Sequence, residues 1–444
     1  MSNNLFGTDG IRKKVGQPPL SLESIIQLGQ AIAQWAQTKY GKKPTVLLGH
    51  DTRESCSFLK AALKSGLFLH STTVYDAGVL PTPGVFNLIH KEAGFDFGIV
   101  ISASHNPYID NGIKIIDARS GKLGLECERE ISQLFENIGM EQEQHDYTKL
   151  GCDLDWPEAK QRYIDDILSH FKNDLLVDKT VVLDCANGAT CTIAPQIFKQ
   201  LGAHVIPIHS FPTGININCS CGSTAPQNLQ QQVLKHNADI GFAFDGDGDR
   251  VTAINRQGKI KDGDDILALL SQHSLYKNQH SVVGTIMTNQ GLEIFLQKQN
   301  RQLIRTTVGD KFVAEALEQE ELMLGGEQSG HIIAHDYLNI GDGIFAALRI
   351  VETIREADNW DLKTFDKYPQ VMVNLPIKNK KDLNDPELAN IIAASKSQLD
   401  AGRLVVRYSG TEPILRVMVE EVTHDDAYRI CTGLSKSLER ELTE

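Results

Sequence analysis

The sequence predicts an α/β protein: three similar α/β domains with mixed, mainly parallel sheets, then a smaller C-terminal α+β domain. Three observations lead to this. Short apolar runs alternate with segments of helical period, the same rhythm occurs three times, and the C-terminal stretch breaks it. At 444 residues the chain exceeds one core, and size alone gives roughly three or four domains.

The first unit has strand-like TVLLGH (Thr45–His50), helix-like FLKAALKSGLFL, strand-like TTVYDA, a helix after Pro83, and then GIVISASHNP (Gly98–Pro107). The second runs from TVVLDCANG (Thr180–Gly188) through a helix around IAPQIFKQLG to HVIPIH, helical LQQQVLKHNA and IGFAFDGDGDR. The third has SVVGTIMTNQG (Ser281–Gly291), helical LEIFLQKQN, LIRTTVG, helical DKFVAEALEQE and LMLGGEQSGH. Continuous apolar strands between helices belong to a sheet covered on both faces. Each unit closes on a polar, glycine- or serine-containing loop, and in open α/β sheets ligands sit beyond the carboxyl ends of strands. Three such loops can line one cleft. From about Tyr368, RLVVRYSGTEPILRVMVEEV reads as two strands flanking the turn SGTEP, with helices before and after. The expected divisions are 1–150, 151–255, 256–367 and 368–444.

Composition narrows the function. With 44 basic against 57 acidic residues the net charge is −13, and no Lys/Arg cluster offers a nucleic acid its basic face. An anionic small molecule remains compatible if a local basic pocket overcomes the global field. The first residues lack the apolar core of a signal peptide and no run is long enough to span a bilayer, so a cytoplasmic protein is expected. Eight cysteines are too few to staple this chain. Cys219 and Cys221 form C-x-C rather than C-x-x-C, and Cys185 and Cys191 stand six apart, so buried or idle thiols are the better reading than zinc.

Four loops contain chemistry. DGDGDR sets Asp245, Asp247 and Asp249 at alternate positions with glycines between, which suits Mg²⁺ or Ca²⁺. An EF-hand fails, because Arg250 occupies the glycine position and Arg256 the twelfth. Placed directly after the apolar IGFAF, three carboxylates repel one another without a cation. SASHNP supplies a nucleophile in Ser102 or Ser104; alone, either reads as a turn hydroxyl, and His105 as a turn residue. No G-x-S-x-G elbow surrounds them. Serine beside a metal loop suggests phosphoryl transfer, with Lys114 of DNGIK neutralising the group. GEQSGH places Glu327, Ser329 and His331 at alternate positions, which in an extended segment face one way and suit sugar hydroxyls. RYSGTEP offers Arg407, Ser409, Gly410 and Thr411 as a phosphate nest.

ISASHNP, DGDGDR, GEQSGH and RYSGTEP occur in the order of the four signatures of the α-D-phosphohexomutase superfamily, and the sequence resembles that family over nearly its whole length. LFGTDGIR, DNGIK, PTP at Pro81–Pro83, DCANGA, CGST and TVGDKFV are most similar to its bacterial glucosamine-phosphate branch. The resemblance implies four domains around a central cleft and an isomerase that interconverts glucosamine 6-phosphate and glucosamine 1-phosphate. The route is a phosphoserine and a bound 1,6-bisphosphate, and the product feeds UDP-N-acetylglucosamine and cell-wall precursors. It implies that Ser104 is the phosphorylated residue and that Asp245, Asp247 and Asp249 bind one Mg²⁺ with it. It also implies activation by a hexosamine 1,6-bisphosphate or other phosphorylation of Ser104. Glu327 and Ser329 would contact the sugar, and Arg407, Ser409, Gly410 and Thr411 the non-reacting phosphate. Arg12, Lys114, Arg250 and His331 match positions near the transferred group, with Lys114 and His331 both open as general base. A phosphoglucomutase or phosphomannomutase would differ only in the sugar, and a sugar phosphatase would use similar parts. The expected partner is a small-molecule sugar phosphate, with no nucleic acid or membrane, and a homodimer stays open. The departures are Lys13 after GIR, where glycine would permit a tight backbone path, Cys56 in DTRESC and Lys311 in GDK.

Overall fold

The computed structural model describes residues 5–7, 10–118, 121–138, 147–377, 380–409 and 413–443. Its first sheet is ordered Ile11–Lys14, Asp110–Asp117, Phe97–Ile101, Thr45–His50, Thr73–Val79, Cys152–Asp155, with Gly121–Lys122 beside Asp110–Asp117. Thr45–His50 pairs in parallel with Thr73–Val79 and with Phe97–Ile101. Cys152–Asp155, beyond the expected division at 150, pairs in parallel with Thr73–Val79. Every residue of Phe97–Ile101 is buried, as a continuous apolar run between two helical layers requires.

The second sheet is ordered Ile260–Lys261, Val251–Asn255, Ile240–Phe244, Thr180–Asp184, His204–Ile208. The third is ordered Gln302–Thr306, Ser281–Thr285, Leu324–Gly326, Ile332–Ala334. Both contain three mutually parallel strands. The repeat is therefore real, and it has a part the sequence pattern did not separate. In each unit the strand that ends in the polar loop is followed by one that returns antiparallel to it: Asp110–Asp117, Val251–Asn255 and Ile332–Ala334. The three loops are thus closed at both ends by ladder hydrogen bonds, which fixes their side chains better than a strand-to-helix connection would.

One apolar core runs through all three units, from Leu47, Leu80 and Val85 through Leu183, Phe242 and Phe244 to Leu267, Phe345 and Leu348. The C-terminal sheet is ordered Gln370–Pro376, Ile414–Glu420, Arg403–Tyr408, antiparallel throughout, and packs its own core of Leu415, Val417, Val419, Leu434 and Leu438. Polar groups join it to the third unit. Glu420 accepts from Gln290 N at 3.0 Å and from Asn289 Nδ2 at 3.3 Å, and Arg403 donates to the carbonyls of Ile286 and Thr288.

Candidate active site

Ser104 follows the buried strand Phe97–Ile101, and its backbone is left-handed, with φ +51°. A non-glycine residue rarely adopts this conformation unless its surroundings over-determine it. They do so here. Ser104 N donates to Ser102 Oγ at 2.9 Å, and Ser102 Oγ donates to Asp51 Oδ2 at 2.6 Å. Arg53, ion-paired to Asp51 at 2.9 Å, donates to the carbonyls of Ser104, Asn106 and Pro107, and Asn218 Nδ2 donates to Ser104 O at 2.8 Å. The side chain is buried and its Oγ donates to Asp245 Oδ2 at 2.6 Å. The serine loop and the DGDGDR loop are therefore one site.

Asp245, Asp247 and Asp249 are all buried, and their carboxylate oxygens lie within 4.8 Å of one another. Burial, followed by the charges of Asp249 and Asp247, pushes the Asp245 carboxyl well above the usual range. Asp249 Oδ1 is buried, 3.9 Å from Arg250 Nε, and accepts no hydrogen bond among the described residues. Three crowded hard oxygens with an unsatisfied one among them fit a divalent oxygen-seeking cation of the Mg²⁺ type. The loop is held at close range: a Cβ on Gly246 would stand 2.5 Å from Ser104 O, a position only glycine allows.

Cations surround this pair of loops. Lys114, on the returning strand, is bonded to Asp247 at 2.9 Å and Asp249 at 3.4 Å. Asp247 also accepts from Thr82 Oγ1 at 2.5 Å. His105 has its pKa lowered to about 4, first by burial and then by the charges of Arg250 and Arg12. Arg12 stands in a regular strand opposite Gly112, and Lys13 opposite Asn111, so lysine in place of glycine leaves the strand undisturbed. Cys56 is buried and donates to Asp51 Oδ1 at 3.3 Å, within the brace behind Ser104.

The GEQSGH loop differs from the extended reading. Residues 327–330 form a tight turn between two strands, with Gly330 N donating to Glu327 O at 3.0 Å, so Glu327, Ser329 and His331 do not share one face. His331 is buried and turned to the metal loop, with Nδ1 3.8 Å from Asp249 Oδ2 and Nε2 accepting from Gly341 N at 2.9 Å. Its Nε2 also lies 3.4 Å from Asp310 Oδ2. Glu327 Oε1 accepts from Gly309 N at 3.0 Å, and Ser329 is exposed. The turn is stitched to the second loop, Val251 N donating to Gly330 O at 3.0 Å beside an Arg250–His331 bridge. It also reaches the C-terminal sheet, where Gln328 Nε2 donates to Gln370 Oε1 at 3.4 Å. A cleft of ≈ 210 Å³ opens beside it, lined among others by Lys122, Asp310, Lys311 and His331. Lys122 and Asp310 are ion-paired across it.

On the C-terminal hairpin Arg407 stands directly opposite Arg416, and burial together with Arg416 lowers the Arg407 pKa. Two guanidinium groups side by side on a ladder repel unless an anion comes between them. Ser409 is buried at the end of this strand, its N donating to Ile414 O at 2.9 Å, whereas Gly410 and Thr411 lie outside the described residues. Sequence reasoning missed Arg416, Asp51, Arg53 and Asn218. Arg416 left a readable trace, as a basic residue inside the apolar run ILRVMV of the strand Ile414–Glu420.

The chain matches the family models for phosphoglucomutase/phosphomannomutase domains in order: α/β/α domain I over residues 3–142, domain II over 161–258, domain III over 262–368 and the C-terminal domain over 372–436. It is 42% identical over 440 residues to a phosphoglucosamine mutase of Acinetobacter baylyi, covering 98% of each chain. It is 42% identical over 421 residues to one of Thermus thermophilus, covering 94% of this chain and 93% of the relative. Among solved structures it shares the fold of a phosphoglucomutase/phosphomannomutase family protein from Burkholderia thailandensis, with TM-score 0.81 and 21% identity over 99% of this chain and 98% of that one. It also shares the fold of an Aspergillus fumigatus N-acetylphosphoglucosamine mutase in complex with GlcNAc-6P and magnesium, with TM-score 0.70 and 16% identity over 98% and 96%. Four domains in sequence and full-length relatives at this identity place the chain in the phosphohexomutase superfamily, and it belongs there to the phosphoglucosamine mutase family.

Proposed function

We propose that the chain interconverts glucosamine 6-phosphate and glucosamine 1-phosphate, with Ser104 as the phosphoryl carrier. The observation that supports this best is the Ser104 hydroxyl, held by strained backbone 2.6 Å from one carboxylate of a buried three-aspartate cluster. Binding alone needs neither part. Asp245, Asp247 and Asp249, with the phosphorylated serine, would hold one Mg²⁺ per chain, which when bound neutralises the phosphoryl group. The Aspergillus fumigatus N-acetylphosphoglucosamine mutase that shares this fold was solved in complex with GlcNAc-6P and magnesium.

The glucosamine 6-phosphate O1 hydroxyl attacks the phosphorus on Ser104, the bond to Oγ breaks, and the 1,6-bisphosphate forms. Lys114, Arg12 and Arg250 counter the negative charge spread over the transferring group. Lys114 is ion-paired to two buried carboxylates. The hydroxyl proton therefore goes to His331, at Nε2, which releases the Gly341 amide to take it. The bisphosphate turns end for end, and Ser104 Oγ recovers the 6-phosphate. Glu327 and Ser329 meet the sugar hydroxyls; Arg407 and Ser409, with Gly410 and Thr411, hold whichever phosphate is not reacting. The divisions 1–150, 151–255, 256–367 and 368–444 give one loop to each domain. The last, with its separate core, acts as a lid that opens for reorientation.

Activation requires a 1,6-bisphosphate or another phosphoryl donor to load Ser104. The test of substrate is kcat/KM for glucosamine, glucose and mannose 6-phosphates with one phosphorylated enzyme stock. Glucosamine 6-phosphate is expected to lead by roughly tenfold to a hundredfold, the worth of one polar contact. A lead for glucose or mannose phosphate would assign the chain to a different sugar, and release of inorganic phosphate in place of isomer would make it a phosphatase.

A further inference from the structure

Behind the serine loop, on the far side of the Asp184–Ala189 turn, lies a second group of ligating side chains that the mutase reaction does not use. Asp184, His209 and Cys221 come from three separate segments, and their ligand atoms lie within 4.8 Å of one another. The sequence spacing of the cysteines read as idle thiols; the fold changes that reading, because it adds a histidine and a carboxylate distant in the chain.

We propose that Asp184, His209 and Cys221 form a binding site for Zn²⁺, distinct from the Asp245, Asp247 and Asp249 site. The donor set is one thiolate, one imidazole and one carboxylate, which selects zinc over the hard cations that suit the aspartate loop. The spacing fits. His209 Nδ1 stands 3.0 Å from Asp184 Oδ2, and two ligand atoms on one tetrahedral Zn²⁺ are about 3.3 Å apart for bonds of about 2.0–2.1 Å. The ring nitrogen and the carboxylate face one another as an ion pair, so two of the three donors stand at ligand spacing before an ion enters. The residue takes left-handed backbone, φ +43°, a conformation that costs energy in histidine. Outer contacts orient the ligands as metal sites require. Asp184 Oδ1 accepts from Ala186 N at 2.9 Å, its Oδ2 from Gly222 N at 3.0 Å, and Asn187 Nδ2 points at Cys221 Sγ from 4.0 Å. Asp184 is fully buried, whereas the His209 side chain keeps 26% of its surface exposed and gives the ion its way in, leaving a fourth position for water. Binding forms Zn–S, Zn–N and Zn–O bonds and releases the Cys221 thiol proton, and that of His209 where the ring is charged, to solvent; no electron is transferred.

The site is one layer from the chemistry. Ala186 O accepts from Asn218 N, and the same Asn218 bonds Ser104 O; Ala189 N donates to Gly246 O. An ion there would stiffen the wall against which both catalytic loops rest.

Co²⁺ serves as the visible probe, titrated into the whole protein with Mg²⁺ in large excess to occupy the aspartate loop. The expected result is one Co²⁺ per chain with a thiolate-to-cobalt charge-transfer band, bleached by an equivalent of Zn²⁺. Cys221→Ser should abolish the band and His209→Ala should weaken binding at least tenfold, whereas Asp247→Asn should leave both unchanged. Zn²⁺ should raise the melting temperature of the wild type and not that of His209→Ala. His209 is partly exposed, so its variant keeps the test valid should Cys221→Ser fail to fold. No band with the wild type, a band surviving Cys221→Ser, equal affinity in His209→Ala, or a band lost in Asp247→Asn would each overturn the site.

Discussion

Ser104 is positioned by a brace of neighbouring side chains. Ser102 receives its amide, Asp51 receives Ser102, and Arg53 and Asn218 hold its carbonyl. Replacing Ser104 by alanine should abolish isomerisation outright, because a covalent route is removed rather than weakened. Ser102→Ala should do something different: lower kcat with KM nearly unchanged and cost about 1–3 kcal/mol in urea unfolding, since it leaves a buried amide and carboxylate without their partner. Unaltered kcat in Ser102→Ala would show that the left-handed turn needs no such brace. At this scale the sequence was legible for residues whose chemistry is their side chain: Ser104, the three aspartates, Lys114. It was silent on Asp51, which is remote in the chain and acts through the Ser102 hydroxyl and Arg53, and on Asn218, which holds backbone carbonyls. It also misread the GEQSGH turn, where Gly330, with φ +91°, bends a segment that alternation alone makes extended.

The unit of construction is a parallel strand, a polar loop and an antiparallel return, used three times. Its loops meet backbone to backbone, so a single methyl group tests the arrangement. Gly246→Ala would set a Cβ 2.5 Å from Ser104 O, and should cost at least about 2 kcal/mol and most of kcat. Stability and activity equal to wild type would mean that the loops are farther apart than they stand here. The first sheet also bears a charge link that gives a pH signature. Asp76, on the strand Thr73–Val79, is partly desolvated, which alone would raise its pKa, but Lys64 and Lys60 of the overlying helix Ser55–Leu69 lower it to about 2. A carboxyl depressed on folding adds stability above the unfolded pKa of 3.8, and loses it as pH falls toward 2. Asp76→Asn should therefore destabilise by about 1–2 kcal/mol at pH 7, discounted for solvent screening, and the gap should close through that window. A gap that stays constant with pH would rule out the charge as its cause. The strand-and-helix rhythm predicted these parallel cores because burial on both faces writes itself into continuous apolar runs. The returning strands were hidden, since DNGIKIID and VTAIN differ little in pattern from the loops and turns beside them.

Across the whole molecule, a chain of net charge −13 gathers cations at two places. Arg12, Lys114 and Arg250 gather at the serine loop, and the facing pair Arg407 and Arg416 on the C-terminal sheet. If the second place takes the non-reacting phosphate, Arg407→Ala should raise KM for both monophosphates about tenfold to a hundredfold, with less effect on loading of Ser104. An unchanged KM in both directions would place that phosphate elsewhere. The order of the four motifs reads as one loop on each of four domains, but does not show that three units share one core while the fourth keeps its own. That separation suits the lid role proposed for the fourth domain. The most direct test of the carrier role follows labelled phosphate through one cycle. Enzyme loaded at Ser104 with isotopically labelled phosphate, and freed of donor, is mixed with unlabelled glucosamine 6-phosphate and quenched after a single turnover. The label should leave Ser104 and appear at the 1-position of the glucosamine 1-phosphate, while peptide mass shows Ser104 rephosphorylated with unlabelled phosphate. Product formed while the label stays on Ser104, or turnover at wild-type rate in Ser104→Ala, would contradict the account.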